Sequence, residues 1–399
     1  MKIEMLWKDE YPWDVRVEKL GRTLRDSGHE VFIVASNRQG RLRRERIEGL
    51  EIRRLRCSSS IRLNRIVSLP ASGNPFWRSE SAAVCDDEEI DLLIVRDLPL
   101  LPLGVWLGRT RRIPVIFDMA ELYSAMWADV AEEKPWSLSS LFLKNPKMAE
   151  CMERRFIPLA DHVLTVVEEA RDAVTAMGVR PEKVSVVSNT PDVAVVEACR
   201  ISNNRPNAWR DKIILFYHGY VNRARGLESV LRCIPSILQQ VPNLLFVIAG
   251  DGDGLTDFRT LANDLGIASS MEFLGWIQFS EIPNYISMAD ICIVPHQPTA
   301  HKNTTIPNKL FDYMAAGKPV IVSNAVPLRR IVLEEECGVV FDANVDESLR
   351  EAVGLLARSR LDRTRLGKNG WDAVDRRYNW CRDTGILLEV IDRFVAEKG

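Results

Sequence analysis

Residues suited to holding an anion stand where strand-like runs give way to helix-like ones. The apolar run Ile213 to Tyr217 leads into HGYVNRARGLESVL, which supplies Gly219, Arg223, Arg225 and Gly226 before helical spacing begins. A strand, a glycine turn, basic side chains and then a helix is the layout of a phosphate cradle. Glycine lets the backbone come close, and a guanidinium grips two oxygens at once. The stretch Thr304 to Asn324, TTIPNKLFDYMAAGKPVIVSN, follows the same logic. Pro307 suits a first helical turn, and Leu310, Phe311 and Met314 make one apolar stripe. Gly317 is a stop, and Val320 to Val322 has the composition of a strand buried on both faces. Free N–H groups at such a helix start can hold an anion. Asp312, in the second turn, is placed to reach a sugar hydroxyl beside it; a packing helix with a solvent-facing aspartate has the same spacing. His296, His301 and Lys302 precede this helix, either as satisfied loop residues or as contacts to sugar or phosphate. Leu244 to Gly250 is a further buried strand, ending in GDGDG. Its Asp251 and Asp253 lie in a glycine-rich strand-to-helix turn with no further ligands near by in sequence, so no metal site is expected there.

The elements that position these groups have the spacing of a parallel α/β fold. Lys2 to Trp7 is a strand, Asp14 to Ser27 a helix with Val17, Leu20 and Leu24 on one side, and Glu30 to Ala35 the next strand. This βαβ unit begins a doubly wound sheet, whose ligands bind at the carboxyl edge. Asp14 and Arg16 lie after the first strand, where a helix cap and a surface arginine are the ordinary alternative. Further strands are expected at Asp91 to Arg96, Pro114 to Asp118, His162 to Val167 and from Val184. Glu121, in DMAELY, follows the Pro114 to Asp118 strand. Met271 to Gly275, ICIVP and Val339 to Phe341 continue a second sheet. The polar stretch containing ISNNRPN is the expected linker. The expected domains are 1–192, a linker 193–211, a second domain 212–375 and a last helical segment 376–399.

At 399 residues the chain is long enough for two domains. A hydrophobic fraction of 46%, a charged fraction of 27% and a net charge of -2 are those of a globular protein in water. Eight cysteines are scattered singly with no CxxC pair, which favours a reducing cytosol over a zinc or disulfide framework. MKIEMLWKDEYPW has no apolar signal core, and the apolar run Ile90 to Leu107 is broken by Arg96, Asp97 and two prolines, so no span is expected. Arg38 to Arg78 carries eleven arginines against three glutamates, interleaved with apolar residues. Such a stretch is either a solvated basic face or a flexible attachment to an anionic membrane surface. No nucleic-acid motif accompanies it, so nucleic acid is not an expected partner.

PNKLFDYMAAGKPVI resembles the donor-binding segment of the family-4 retaining glycosyltransferases, most closely bacterial members of the capsule, O-antigen and exopolysaccharide type. DVRVEKLGRTLRDSGHEVFIVAS is similar to the opening of the same enzymes, and VSVVSNTPD to their end-of-domain strand and loop. The resemblance implies an α/β GT-B fold: two Rossmann-like doubly wound domains facing across a cleft, with a C-terminal helix crossing back. It implies transfer of a sugar from a UDP- or GDP-type nucleotide sugar to a hydroxyl of a glycan or lipid-linked acceptor, with retention. Neither a cofactor nor a metal is implied. The scattered cysteines set the expected place of work in the cytoplasm, and Arg38 to Arg78 offers peripheral attachment at the inner face of the plasma membrane. The family carries two acids eight positions apart. Asp312 stands at the second, which binds the ribose; the first, a catalytic position on the sugar side, falls at Thr304. Arg225 takes the lysine place of the Arg/Lys pair that neutralises the pyrophosphate. The partner's place falls at Tyr220, with Arg223 as the substitute. Gly219, Gly250, Asp251, Asn308, Lys309 and Leu310 complete the expected nucleotide-sugar contacts. Asp14, Arg16 and Glu121 form the acceptor side, Glu121 also stabilising charge. The histidine usual before that acid is Ala120 here. A GT-B epimerase and a non-catalytic scaffold in polysaccharide assembly remain the alternatives.

Overall fold

Runs of β-branched and leucine residues build two sheets in this computed structural model, which describes residues 1–12, 14–69, 73–133, 144–192 and 205–396. The first sheet has strands β1 (Lys2–Trp7), β2 (Glu30–Ala35), β3 (Arg44–Ile47), β4 (Leu50–Arg54), β5 (Leu92–Arg96), β6 (Val115–Asp118), β7 (His162–Thr165) and β8 (Val184–Val186). Their order is β3-β4-β2-β1-β5-β6-β7-β8. All neighbours are parallel except β3, which pairs antiparallel with β4. The second sheet has β9 (Ile213–His218), β10 (Leu244–Ala249), β11 (Met271–Gly275), β12 (Ile291–Val294), β13 (Val320–Ser323) and β14 (Gly338–Phe341). It is wholly parallel, in the order β11-β10-β9-β12-β13-β14.

Both sheets are doubly wound. In each, strand order reverses beside the first strand, between β1 and β5 and between β9 and β12. Helices on both faces bury the central strands completely, so β5, β10 and β12 are apolar at almost every position rather than alternating. The helix Leu227–Gln240 shows how one element meets this demand. Leu227, Val230, Leu231, Ile234 and Ile237 recur at helical spacing and are all buried in the second core.

The chain divides into two compact units, Met1–Ser188 with Thr384–Gly399, and Asn189–Asp383. The last helix, Trp380–Ala396, contributes most of its length to the first. Of the expected linker, 193–204 lies outside the described residues. Residues 205–211 are part of the second unit: Arg205 pairs with Asp290 at 2.9 Å, and buried Trp209 donates to Glu272 at 2.6 Å.

Arg38 to Arg78 is not a flexible connection. It contains the β3–β4 hairpin, the helix Ile61–Val67 and the start of the helix Pro75–Glu88. Leu50, Ile52 and Arg54 alternate inward on β4. Arg54 is a core residue despite its charge, donating to the carbonyls of Tyr11 and Leu42 and pairing with Glu45 at 2.8 Å. Arg38, Arg43, Arg46 and Arg53 pair with Asp9, Glu80, Glu51 and Glu88. Counting charges hid this, because the stretch draws Asp9, Glu80 and Glu88 from elsewhere in the first unit.

Candidate functional site

The switch point of the second sheet gathers most of the anion-binding candidates. Gly219 follows β9 with φ 122, and Gly226 closes the loop with φ 74. A Cβ on Gly226 would collide with the Pro295 carbonyl, just past β12, so glycine is required for that loop to lie against the end of β12. The Gly250 and Gly252 backbone lies equally close to that of Gly219 and Val221. Val221 N–H donates to Asp251 O at 3.0 Å and Gly219 N–H to Ala249 O at 2.9 Å, stitching the two glycine loops together.

Cations face this backbone. Arg225 is half-buried and has no carboxylate partner among the described residues. Lys309, the first residue of the helix Lys309–Ala315, is buried, its ammonium 3.7 Å from the centroid of the Tyr217 ring. Burial, then the charge of Arg225, pushes its pKa well below the usual lysine range, with Asp312 opposing. Buried His296 follows β12, and its Nε2 has no hydrogen-bond partner. Burial first, then Lys309 and Arg225, holds its pKa far below normal. His218 is likewise depressed, to about 3, by burial and Lys309. Its Nε2 lies 3.6 Å from Asp312 Oδ2, beyond hydrogen-bond reach. Both imidazoles are therefore neutral at physiological pH. Lys302 donates to His301 Nδ1 at 3.0 Å.

Several expected contacts take other roles. Thr304 turns its hydroxyl back to the carbonyls of Ala300 and His301, at 3.2 and 3.1 Å. Leu310 is core, and its N–H is engaged by the Pro307 carbonyl at 3.1 Å. Arg223 is exposed and lies near Glu228 and Asp257, at 3.8 and 3.6 Å, so it does not complete a pair with Arg225. Asp251 is exposed and accepts from its neighbour Gly252 at 2.7 Å, shaping the turn. Pro307 precedes the helix instead of entering it, and Asn308 is an exposed N-cap without a side-chain cap bond. Gly317 does stop the helix, with φ 66. Among the described residues no group of three or more His, Cys, Asp or Glu side chains is arranged to hold a metal ion.

The carboxyl edge of the first sheet holds a second charged cluster. Asp118, at the end of β6, is fully buried and accepts both Oδ atoms' worth of bonds from Arg16, at 2.6 to 2.9 Å, and one from Arg96 at 3.1 Å. Burial would raise its carboxyl, but Arg16 and Arg96 outweigh that and hold it below the usual range. Arg16 also donates to the Val187 carbonyl at 2.8 Å, so it is a buried tie between strand ends rather than an open acceptor contact. Asp14 caps its helix, accepting from the N–H groups of Arg16 and Val17 at 3.0 and 2.9 Å. Glu121 is partly exposed beside Tyr123. Lys8, Arg96, Asp97 and Asp118 are the residues that sequence reasoning missed. Lys8 bridges Asp97 at 3.0 Å and Asp9 at 3.1 Å. Asp97 has φ 71 and ψ 154, a backbone region otherwise left to glycine. The signal was available: charged residues directly after buried runs in IVRD and VIFD.

The model of glycosyl transferases group 1 matches residues 200–372, and that of the glycosyl transferase 4-like domain residues 14–190. The chain belongs to the family-4 glycosyltransferases. Alpha-monoglucosyldiacylglycerol synthase of Streptococcus pneumoniae is 24% identical over 66% of this chain and 58% of its own length. The chain thus spans little more than half of that relative. Sucrose-phosphate synthase from Thermosynechococcus elongatus superposes with a TM-score of 0.77 at 18% identity, covering 100% of both chains. The Anabaena protein Alr3699/HepE, solved in complex with UDP, gives 0.71 at 14% identity, covering 98% of this chain and 100% of its own. These likenesses establish the GT-B fold for this family member.

Proposed function

We propose that this chain transfers a glycosyl unit from a nucleoside diphosphate sugar to a hydroxyl of a glycolipid or polysaccharide acceptor, with retention at the anomeric carbon. The observation that supports it is the meeting of Arg225, Lys309 and close-approach glycine backbone at the switch point of the second sheet. As the bond from the sugar to the diphosphate breaks, negative charge grows on the leaving oxygen and the sugar becomes oxocarbenium-like. Fixed cations and N–H groups facing that oxygen lower the barrier because they need no rearrangement. On this reading the side chains, without a metal, neutralise the leaving group. Asp312 holds the ribose, and Glu121 contacts the acceptor. The alpha-glucosyl lipid synthase among the relatives and the UDP complex among the structural neighbours support a lipid-linked acceptor and a UDP-type donor. Arg225→Ala should lower turnover by roughly tenfold to a thousandfold; an unchanged rate takes Arg225 out of the reaction.

For the acceptor's location we propose an anionic membrane surface. Leu63, Ile66, Leu69 and Phe76 are exposed by 40 to 62%. Asn74 and Trp77 tie the two helices of this patch together through the carbonyls of Val67, Ser68 and Leu69. Exposed Arg56, Arg62 and Arg65 flank it without carboxylate partners among the described residues. Among those residues no helix is long and apolar enough to cross a membrane. Co-sedimentation with vesicles should rise with their anionic lipid content and fall in an Arg62→Glu/Arg65→Glu variant; binding indifferent to lipid charge refutes the proposal.

A further inference from the structure

We propose that Lys309 is the second diphosphate cation of this chain beside Arg225, and that donor binding draws one proton into the site. This rests on the donor reading above. A Cβ on Gly219 would come within 2.9 Å of Lys309 Nζ, so the ammonium lies against the glycine turn after β9. Tyr220 is 53% exposed and uncharged, and Arg223 is turned toward Glu228 and Asp257. Arg225 from the loop and Lys309 from the helix that begins across the switch point are thus the cations beside this turn. Lys309 is 7% exposed, and no carboxylate lies within ion-pair distance of it among the described residues.

A buried ammonium without a counterion is costly, and proteins escape the cost by releasing the proton. The groups facing Lys309 make release easier. Tyr217, His218 and Arg225 come from β9 and its loop, Lys302 and His296 from the segment after β12, and Asp312 from its own helix. Asp312 alone of these is acidic, and it is outweighed: burial and Arg225 leave the proton loosely held. A diphosphate reverses the sign of the local potential and supplies the missing hydrogen-bond acceptors. The ammonium then becomes the favoured form, and its proton comes from solvent. No bond other than this N–H is made or broken. The affinity for a nucleoside diphosphate should fall by up to about tenfold per pH unit above the point where the free ammonium titrates.

The test is titration calorimetry with UDP and GDP at about pH 8.5, in two buffers of different ionisation enthalpy. The nucleotide's own phosphate, with its second pKa near 6, is then fully ionised and takes up nothing. The expected result for the full chain is a buffer-dependent heat corresponding to uptake approaching one proton. Lys309→Met, which suits a buried site, should lose that uptake and bind at least tenfold more weakly. Equal heats in the two buffers with clear binding, or unchanged uptake in Lys309→Met, overturn the proposal while leaving the donor reading intact. No heat with either nucleotide, or with ADP, refutes the donor reading itself.

Discussion

Glu4 lies on β1 in the core of the first unit, with no exposed surface. The Cys85 thiol donates to its Oε2 at 3.0 Å, while Oε1 has no partner. Burial pushes its carboxyl up to about 8 from an ordinary 4.5, with the Cys85 hydrogen bond, the nearby Ser81 hydroxyl and the charge of Arg111 opposing in part. The direction of the consequence follows from proton counts. Between these two values the unfolded chain has lost the proton and the folded chain keeps it. Stability therefore falls as pH rises through that window, and is level above it. Each pH unit is worth at most about 1.4 kcal/mol, so the window of roughly 3.5 units removes about 5 kcal/mol. Glu4→Gln keeps the shape and one hydrogen-bond acceptor but cannot ionise. Urea unfolding of both proteins at about pH 5.5 and about pH 8.5 measures the difference. The variant should gain on the wild type by about 3 kcal/mol between those conditions. A wild-type-minus-variant difference that ignores pH would show that Glu4 is ionised in the fold, with a counterion or water at Oε1.

Arg16→Met should destabilise the first unit by about 3–5 kcal/mol, because it strips a buried carboxylate of its bidentate partner; a near-neutral effect in urea unfolding would return Arg16 to an acceptor role. Asp312→Asn should weaken nucleotide binding by about 1–3 kcal/mol without unfolding the protein, read by calorimetry, and a folded variant with wild-type affinity would assign Asp312 to packing. Gly226→Ala should disrupt the loop after β9, since φ 74 and the Pro295 carbonyl both oppose a Cβ. The measurable result is at least tenfold loss of nucleotide affinity, and a variant with normal affinity would show that the loop tolerates displacement.

Strand and helix order was legible because the buried parallel strands are short apolar runs separated by helical spacing, a pattern that survives without partners in view. The hairpin β3–β4 was not, because its core-facing set includes Arg54, whose burial depends on carbonyls of Tyr11 and Leu42. For the second sheet's site, glycine and arginine after β9 were readable from local order. The role of Lys309 was only partly so, since its closeness to Gly219 is a tertiary fact. The same holds for Arg16 and Asp118, which are 102 residues apart in sequence and joined at the sheet's edge. Thr304 was expected from its place in a motif, whereas its hydroxyl is satisfied within its own turn.

The central claim is that the second unit grips a nucleoside diphosphate through Arg225 and Lys309. Thermal unfolding of the wild type and of Arg225→Ala against UDP, GDP, ADP and CMP tests it most directly. At least one diphosphate should raise the wild-type midpoint, CMP should do so far less, and Arg225→Ala should lose most of the shift. No shift with any diphosphate, or an equal shift in Arg225→Ala, would contradict it.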